Sequence, residues 1–239
     1  MSSKPPTFKP SRRPRFFPPP ESASPEGAVV MGGDLNAELL LDAYSHGIFP
    51  WPHSDDEPLV WWSLDPRAII EFDDFRPSQR VLRRLRSGQF RASIDTDFAG
   101  VMHGCAEGPG REGGTWITPN MIRGYTHLHH LGFAHSVEIR NAEGQLVGGT
   151  YGVAIGGLFA AESMFHLERD ASTAALASLI AHLKSRGYGL LDVQQWTPHT
   201  GRLGASEIPR REYLERVAFE VSRKVSFGTR IEGDPQTLR

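Results

Sequence analysis

Apolar positions change their period several times along the chain, and each change marks an element. Ala37 to Tyr44 carries a helical apolar stripe behind Asp34 and Asn36, either of which can cap a helix that Gly47 ends. Ser78 to Gly88, S-Q-R-V-L-R-R-L-R-S-G, has a capping Ser, a terminating Gly, and Val81, Leu82 and Leu85 on one side. Thr118-Pro119 opens a third helix in the order N-cap then Pro, with Met121, Ile122, Tyr125 and Leu128 as its buried stripe before Gly132. The period then drops to two. His135 to Ile139 and Gln145 to Val153 read as strands joined through Asn141 to Gly144, and Leu158 to Ala161 as a third. Ser172 to Arg186 returns to helical spacing through Leu176, Leu179, Ile180 and Leu183 and stops at Gly187. Gly189 to Gln194 is a further strand and Arg211 to Arg223 a closing helix.

This order predicts an α+β fold on a mostly antiparallel sheet, acetyltransferase-like (GNAT-like) in shape. A loop rich in Pro, Asp and Trp, Phe49 to Pro66, precedes the expected boundary. The chain divides into a flexible basic Pro-rich tail (1–14), a smaller N-terminal α/β domain (15–70) and the acetyltransferase-like domain (71–239).

Composition narrows the function classes. With 39% apolar and 23% charged residues the chain suits a globular protein, and no stretch approaches the roughly 20 apolar residues of a spanning helix. The 26 basic and 28 acidic side chains give a net charge of −2, so any RNA contact comes from local patches such as Arg80, Arg83, Arg84 and Arg86 on the second helix. The single cysteine, Cys105, forms neither an internal disulfide nor a metal framework, which fits a reducing, cytoplasmic compartment. Lys4, Lys9, Arg12, Arg13 and Arg15 lie among prolines, either as a basic arm touching RNA or as a solvated extension.

Three signals carry chemistry, each with a plainer competitor. Asp192-Val193-Gln194 places a carboxylate and an amide two apart on a strand, hence on one face, unless this is only a strand end turned to water. Glu162 directly follows an apolar strand and needs a cationic partner, either a structural Arg such as Arg169 or the cation of a substrate. Ser163 lacks the flanks of a nucleophile elbow. Trp51, Trp61, Trp62, Trp116, Phe159 and Phe165 form an aromatic set that either lines a pocket or covers the core. His127, His129, His130 and His135 lack the partners of a metal site, and the glycine group from 108 to 114 lacks the lysine and spacing of a P-loop.

In this context the ordered blocks Gly32-Gly33-Asp34-Leu35, Gly47-Ile48-Phe49-Pro50-Trp51, Trp61-Trp62-Ser63, Asp65-Pro66-Arg67 and Thr115-Trp116-Ile117 resemble leucyl/phenylalanyl-tRNA–protein transferases. So do Ala134-His135-Ser136-Val137-Glu138, Leu146-Val147-Gly148-Gly149, Tyr151-Gly152-Val153, Glu162-Ser163-Met164-Phe165, Asp192-x-Gln194 and Leu203-Gly204-Ala205 through Arg210, so the resemblance spans about Phe17 to Tyr213. It implies an aminoacyltransferase without metal or organic cofactor. Such an enzyme takes Leu-tRNA or Phe-tRNA, less often Met, and acceptor proteins with N-terminal Arg or Lys, and its product is an N-degron for protein degradation. It further implies an aminoacyl pocket of Trp51, Trp116, Tyr125, Phe159 and Phe165, acceptor engagement by Glu162, and Asp192 with Gln194 as the catalytic pair. A Gln amide is too weak a base to act alone, so the expectation is that Gln194 orients the amine while Asp192 polarises it or takes its proton. The arginines of the second helix are expected to grip the acceptor stem through phosphates.

The chain departs from the family pattern at Leu64, Arg140, Thr173 and Arg202. Two rival readings remain: an acyl-CoA-dependent N-acetyltransferase, although its Q/R-x-x-G-x-G/A loop is missing, and a non-catalytic tRNA-binding module.

Overall fold

The computed structural model describes residues 8–109 and 114–238; residues 1–7 of the expected tail and 110–113 of the glycine-rich loop lie outside the described part. The N-terminal portion builds a small antiparallel sheet from β1 (Ala28–Met31), β2 (Phe49–Pro50) and β3 (Val60–Trp62), in the order β1-β3-β2. Helix α1 (Ala37–Ser45) is capped by Asn36, whose side chain accepts from the Leu39 amide at 2.9 Å. Asp34 instead accepts from the Asn36 amide, one step before the cap.

The rest forms a seven-stranded sheet. In chain order its elements are β4 (Arg67–Ile70), α2 (Gln79–Arg86), β5 (Arg91–Ile94), α3 (Phe98–Glu107), α4 (Pro119–His130), β6 (Ala134–Arg140) and β7 (Leu146–Ile155). They continue with β8 (Leu158–His166), α5 (Ala171–Arg186), β9 (Leu190–Gln194), α6 (Pro198–Arg202), β10 (Ala205–Ile208) and α7 (Arg210–Val221). The strand order is β10-β4-β9-β8-β7-β6-β5, and every neighbouring pair is antiparallel except β8 and β9. A parallel pair needs a crossover connection, which α5 supplies. The class is mixed α+β on a mostly antiparallel sheet, as the periodicity predicts.

Both faces of the sheet are covered. One face packs against α2 and α5 through Val81, Leu176, Leu179, Ile180 and Leu183. The other packs against α1, α3, α4 and α7 through Leu40, Tyr44, Val101, Met121, Tyr125, Leu128, Tyr213 and Val217. Helix α5 is buried from Ala171 to Leu183, apart from the partly exposed Thr173, because the chain after α7 folds back over it, with Phe227 and Leu238 in the same cluster. A helix covered on all sides carries small and apolar residues all round, which explains its many alanines.

Several elements are not legible in the period. Helix α3 is interrupted by Gly100 and Gly104, poor helix formers, yet Gly104 is where the Phe165 ring presses on the helix; a Cβ there would lie 2.5 Å from that ring. Strands β4, β5 and β10 have only four residues each, too few to show an alternation. Arg67–Ile70 pair with β9 and β10, so residues placed at the end of the expected N-terminal domain already belong to the large sheet.

Candidate functional site

The site arises where β8 and β9 part. Their parallel register runs Leu158 with Leu190, Phe159 with Leu191 and Ala160 with Asp192, and ends there. Two residues further on, Glu162 and Gln194 face each other, and Gln194 Nε2 donates to Glu162 Oε1 at 2.7 Å. The opening beyond them is a cavity of about 290 Å3, walled by Phe49, Pro50, Trp51, Trp116, Met164 and Val193. Its polar side carries Glu162, Ser163, Gln194, Gln195, Thr197 and Thr200. A more open depression of about 460 Å3, between the start of α1 and α4, has Asp34, Asp55, Glu57, Arg123 and His127 in its lining and holds none of these groups.

Glu162 is buried, and Arg169 is not its partner. Its Oε1 accepts from Tyr44 Oη at 2.7 Å as well as from Gln194, and Oε2 accepts from Tyr125 Oη at 3.2 Å. The two tyrosine hydroxyls also touch each other. The two bonds from the tyrosines to Glu162 belong to the ionised carboxylate; in the protonated form the carboxyl donates to one tyrosine, which frees that hydroxyl's proton for the other. Burial raises the Glu162 pKa to about 7, and the nearby Asp192 charge adds to this against the opposing tyrosine and glutamine hydrogen bonds. Burial and the neighbouring Glu162 push the ionisation of Tyr44 and Tyr125 well above the ordinary phenol range, so both remain donors.

Asp192 is positioned differently. It is fully buried and does not line the cavity. Its Oδ1 accepts from Arg67 Nε at 2.9 Å and from the Gln194 amide at 2.8 Å; its Oδ2 accepts from Arg67 Nη2 at 2.6 Å and from Tyr213 Oη at 2.7 Å. Four donors fill the roughly four acceptor directions of a carboxylate. The Arg67 guanidinium lies between the rings of Phe49 and Tyr213, at 4.5 and 4.6 Å, and Nη1 donates to the Gly47 carbonyl. Gln194 is held at φ +59°, a left-handed conformation uncommon for a side-chain-bearing residue, with its amide anchored on Asp192. The four donors leave no acceptor direction of the Asp192 carboxylate turned to the cavity.

Of the five expected pocket residues, Trp51 and Trp116 line the cavity and three do not. Tyr125 stands behind Glu162 as a hydrogen-bond donor. Phe159 lies in the core on the α5 side, stacked with Phe227 at 5.6 Å, because its position on β8 points to the opposite sheet face. Phe165 packs on Gly104 and Gly149 within the core. Phe49, Met164, Val193, Tyr44, Arg67 and Tyr213 complete the surroundings. Arg67 lies in the Asp65-Pro66-Arg67 block and Tyr44 on the buried stripe of α1, but nothing local marks either as part of a site.

The arginines of α2 differ in their partners. Arg80 pairs with Asp170 and Arg84 with Glu168, the latter guanidinium lying over Phe90 at 3.7 Å. Lys184 and Arg186 pair with Asp73 and Glu232. Among the described residues Arg83, Arg86 and Arg91 have no ion pair. Two of the four histidines make structural hydrogen bonds: His129 Nδ1 meets the Ala134 carbonyl, and His135 Nδ1 meets Asp95 Oδ2 at 2.7 Å. Of the departures, Arg140 pairs with Asp97, Leu64 packs on Gly27, and Arg202 is exposed on α6.

An α+β chain whose buried carboxylate and amide share an aromatic-walled cavity is, by its sequence matches, an aminoacyltransferase. One family model, described as leucyl/phenylalanyl-tRNA protein transferase, matches residues 69–218, and its N-terminal-domain counterpart matches 33–65. The chain belongs to the leucyl/phenylalanyl-tRNA–protein transferase family. A relative bearing that name in Maridesulfovibrio salexigens is 47% identical over 84% of this chain and 83% of its own length. Another, in Magnetococcus marinus, is 44% identical over 93% of this chain and 96% of its own. Among solved structures, L-PGS from Bacillus licheniformis matches at TM-score 0.39 and 13% identity, covering 76% of this chain and 62% of that one. Family membership rests on the sequence matches alone. No described helix is long and apolar enough to cross a membrane.

Proposed function

We propose that this transferase moves Leu or Phe, less often Met, from charged tRNA to the N-terminal Arg or Lys of an acceptor protein, making an N-degron. The supporting observation is Glu162: a buried carboxyl in contact with Gln194 at one end of an aromatic-walled cavity. Phe49, Trp51, Trp116, Met164 and Val193 offer an apolar wall to side chains unbranched at Cβ. One methylene is worth only about 1–3 kcal/mol, which fits tolerance of Met.

In this reading the acceptor's α-amine attacks the ester carbonyl carbon of the aminoacyl-tRNA. A C–N bond forms, the C–O bond to the ribose breaks, and the ribose oxygen leaves with a proton. Gln194 Nε2 is held by Glu162, which leaves Oε1 to orient the amine. Glu162, with its pKa near 7, is matched to an α-amine whose reference value is about 7.7–8.0, so it draws the cationic N-terminus and relieves it of a proton. Asp192, saturated by Arg67, Tyr213 and the Gln194 amide, acts as a positioning residue for Gln194. On and beside α2, Arg83, Arg86 and Arg91 are the arginines without an ion pair and so the ones offered to tRNA phosphates. An acyl-CoA donor is disfavoured, because the turn before α5 holds Glu168 and Asp170, already bonded to Arg84 and Arg80.

The test is transfer of labelled Leu or Phe from tRNA to a peptide beginning with Arg, with acetyl-CoA as the competing donor. Transfer from tRNA that falls at least tenfold in Glu162→Gln and in Gln194→Ala supports the reading. Acetyl transfer, or full rates in both variants, overturns it.

A further inference from the structure

The cavity has room for an aminoacyl group but little more. Its volume of about 290 Å3 lies at the low end of the roughly 300–1,000 Å3 of ligand pockets. Under the donor proposed above, on which this inference rests, the nucleotides behind the esterified one must lie on the cavity rim. The rim on the β9 side is the turn Gln195-Trp196-Thr197, whose first and third residues line the cavity.

Trp196 between them is one of the few large apolar side chains left in solvent, 44% exposed. Its ring is braced from behind. A Cβ on Gly201 of α6 would fall 2.7–2.8 Å from three consecutive indole atoms, Cζ2, Cε2 and Nε1, so the ring lies face-on over that glycine. The other face is turned outward. An indole that only filled space would be covered on both faces, whereas this one packs on Gly201 and stays 44% exposed.

The surroundings suit a polyanion. Arg202, one residue beyond Gly201, is exposed and has no ion pair among the described residues. Burial first, then the neighbouring Arg202 and His166, lower the pKa of His199, so the positive charge on this stretch of the rim is that of Arg202. An acceptor chain beginning with Arg or Lys gains nothing from a guanidinium here, whereas an RNA phosphate does. An exposed aromatic face beside a cation is the recurring means of holding unpaired nucleotides.

We propose that Trp196, braced by Gly201 and flanked by Arg202 and His199, is a stacking platform for an unpaired base of the donor RNA, next to the nucleotide whose ester enters the cavity. The base lies on the outer indole face and Arg202 meets the adjoining phosphate. Stacking of this kind is non-covalent and reads no particular base.

The experiment compares two donors, full Phe-tRNA and Phe-adenosine, with Trp196→Ala, Trp196→Phe and Arg202→Ala. The expected result is a KM for Phe-tRNA raised about 5- to 100-fold in Trp196→Ala and largely restored in Trp196→Phe. KM for Phe-adenosine, which has no second nucleotide, changes less than twofold. Arg202→Ala weakens tRNA use and its salt dependence only. Equal effects on both donors, unchanged KM for Phe-tRNA, or an increase confined to the acceptor peptide would overturn the platform. Trp51 and Trp116 also report on the cavity, so the platform is read without turnover from the part of the tryptophan quenching by uncharged tRNA that the wild type shows and Trp196→Phe loses. An inactive wild type that still shows this quenching sinks the proposed reaction and leaves the platform standing; absent quenching sinks the platform.

Discussion

Arg67 and Asp192, 125 positions apart, meet in a bidentate ion pair with Nε–Oδ1 at 2.9 Å and Nη2–Oδ2 at 2.6 Å, both side chains almost fully buried. The pair joins β4 to β9 directly behind the cavity. Through Gly47 and Phe49 it also ties the small N-terminal sheet to the large one.

Removing one charge of this pair strands the other. Asp192→Asn is expected to lower folding stability by about 3–5 kcal/mol, measured by denaturant unfolding, because an uncompensated guanidinium remains buried. Arg67→Lys does not restore it, since an ammonium can neither bind two oxygens in a fork nor stack between Phe49 and Tyr213. A stable, fully active Asp192→Asn would contradict the positioning role.

Glu162 makes stability depend on pH with a definite sign. Its folded pKa of about 7 is raised from 4.5, so the stability it contributes is complete below about 4.5 and is lost as pH rises through about 7. Glutamine mimics the protonated form. Glu162→Gln should therefore raise the Tm at pH 8 and leave it nearly unchanged at pH 4.5, as scanning calorimetry at the two pH values can show.

His182 has the opposite sign. It is fully buried, its Nε2 donates to the Phe227 carbonyl at 2.8 Å, and Nδ1 accepts from the Glu232 amide at 3.0 Å, an arrangement that requires the neutral ring. Burial lowers its pKa, so its contribution is present above the unfolded value near 6.5 and lost as pH falls through the lower folded value. Protection of the backbone amides after Val225, taken relative to the intrinsic exchange rate at each pH, should fall between pH 7 and 5, and less so in His182→Gln.

The arginines of α2 should divide into two pairs. Charge reversal at Arg83 and Arg86 is expected to raise the KM for tRNA and flatten its salt dependence. Arg80→Ala and Arg84→Ala, which lose contacts to Asp170 and Glu168, are expected to leave the salt slope unchanged. Steady-state kinetics over a series of salt concentrations separates the two.

Long periodic segments were legible residue by residue. The caps Asn36, Ser78 and Thr118, the stripes of α2, α4 and α5, and the hairpin of β6 and β7 follow from local preferences and spacing. Short strands and the glycine-interrupted α3 were not, because their conformation is imposed by neighbours distant in sequence.

The site divides in the same way. Sequence alone determined the strand that carries Gln194 and the family to which the ordered blocks belong, whereas Glu162, expected just past a strand ending at Ala161, lies inside β8, which runs on to His166. Only the tertiary structure decided what those residues can do. The parting of β8 and β9 makes the cavity, and the distant Arg67 and Tyr213 fill the acceptor directions of Asp192. Tyr44 and Tyr125, on two different helices, surround Glu162 and help set its environment. A local pattern records which face of an element is buried, but the availability of a proton or a lone pair depends on which remote groups are packed against it.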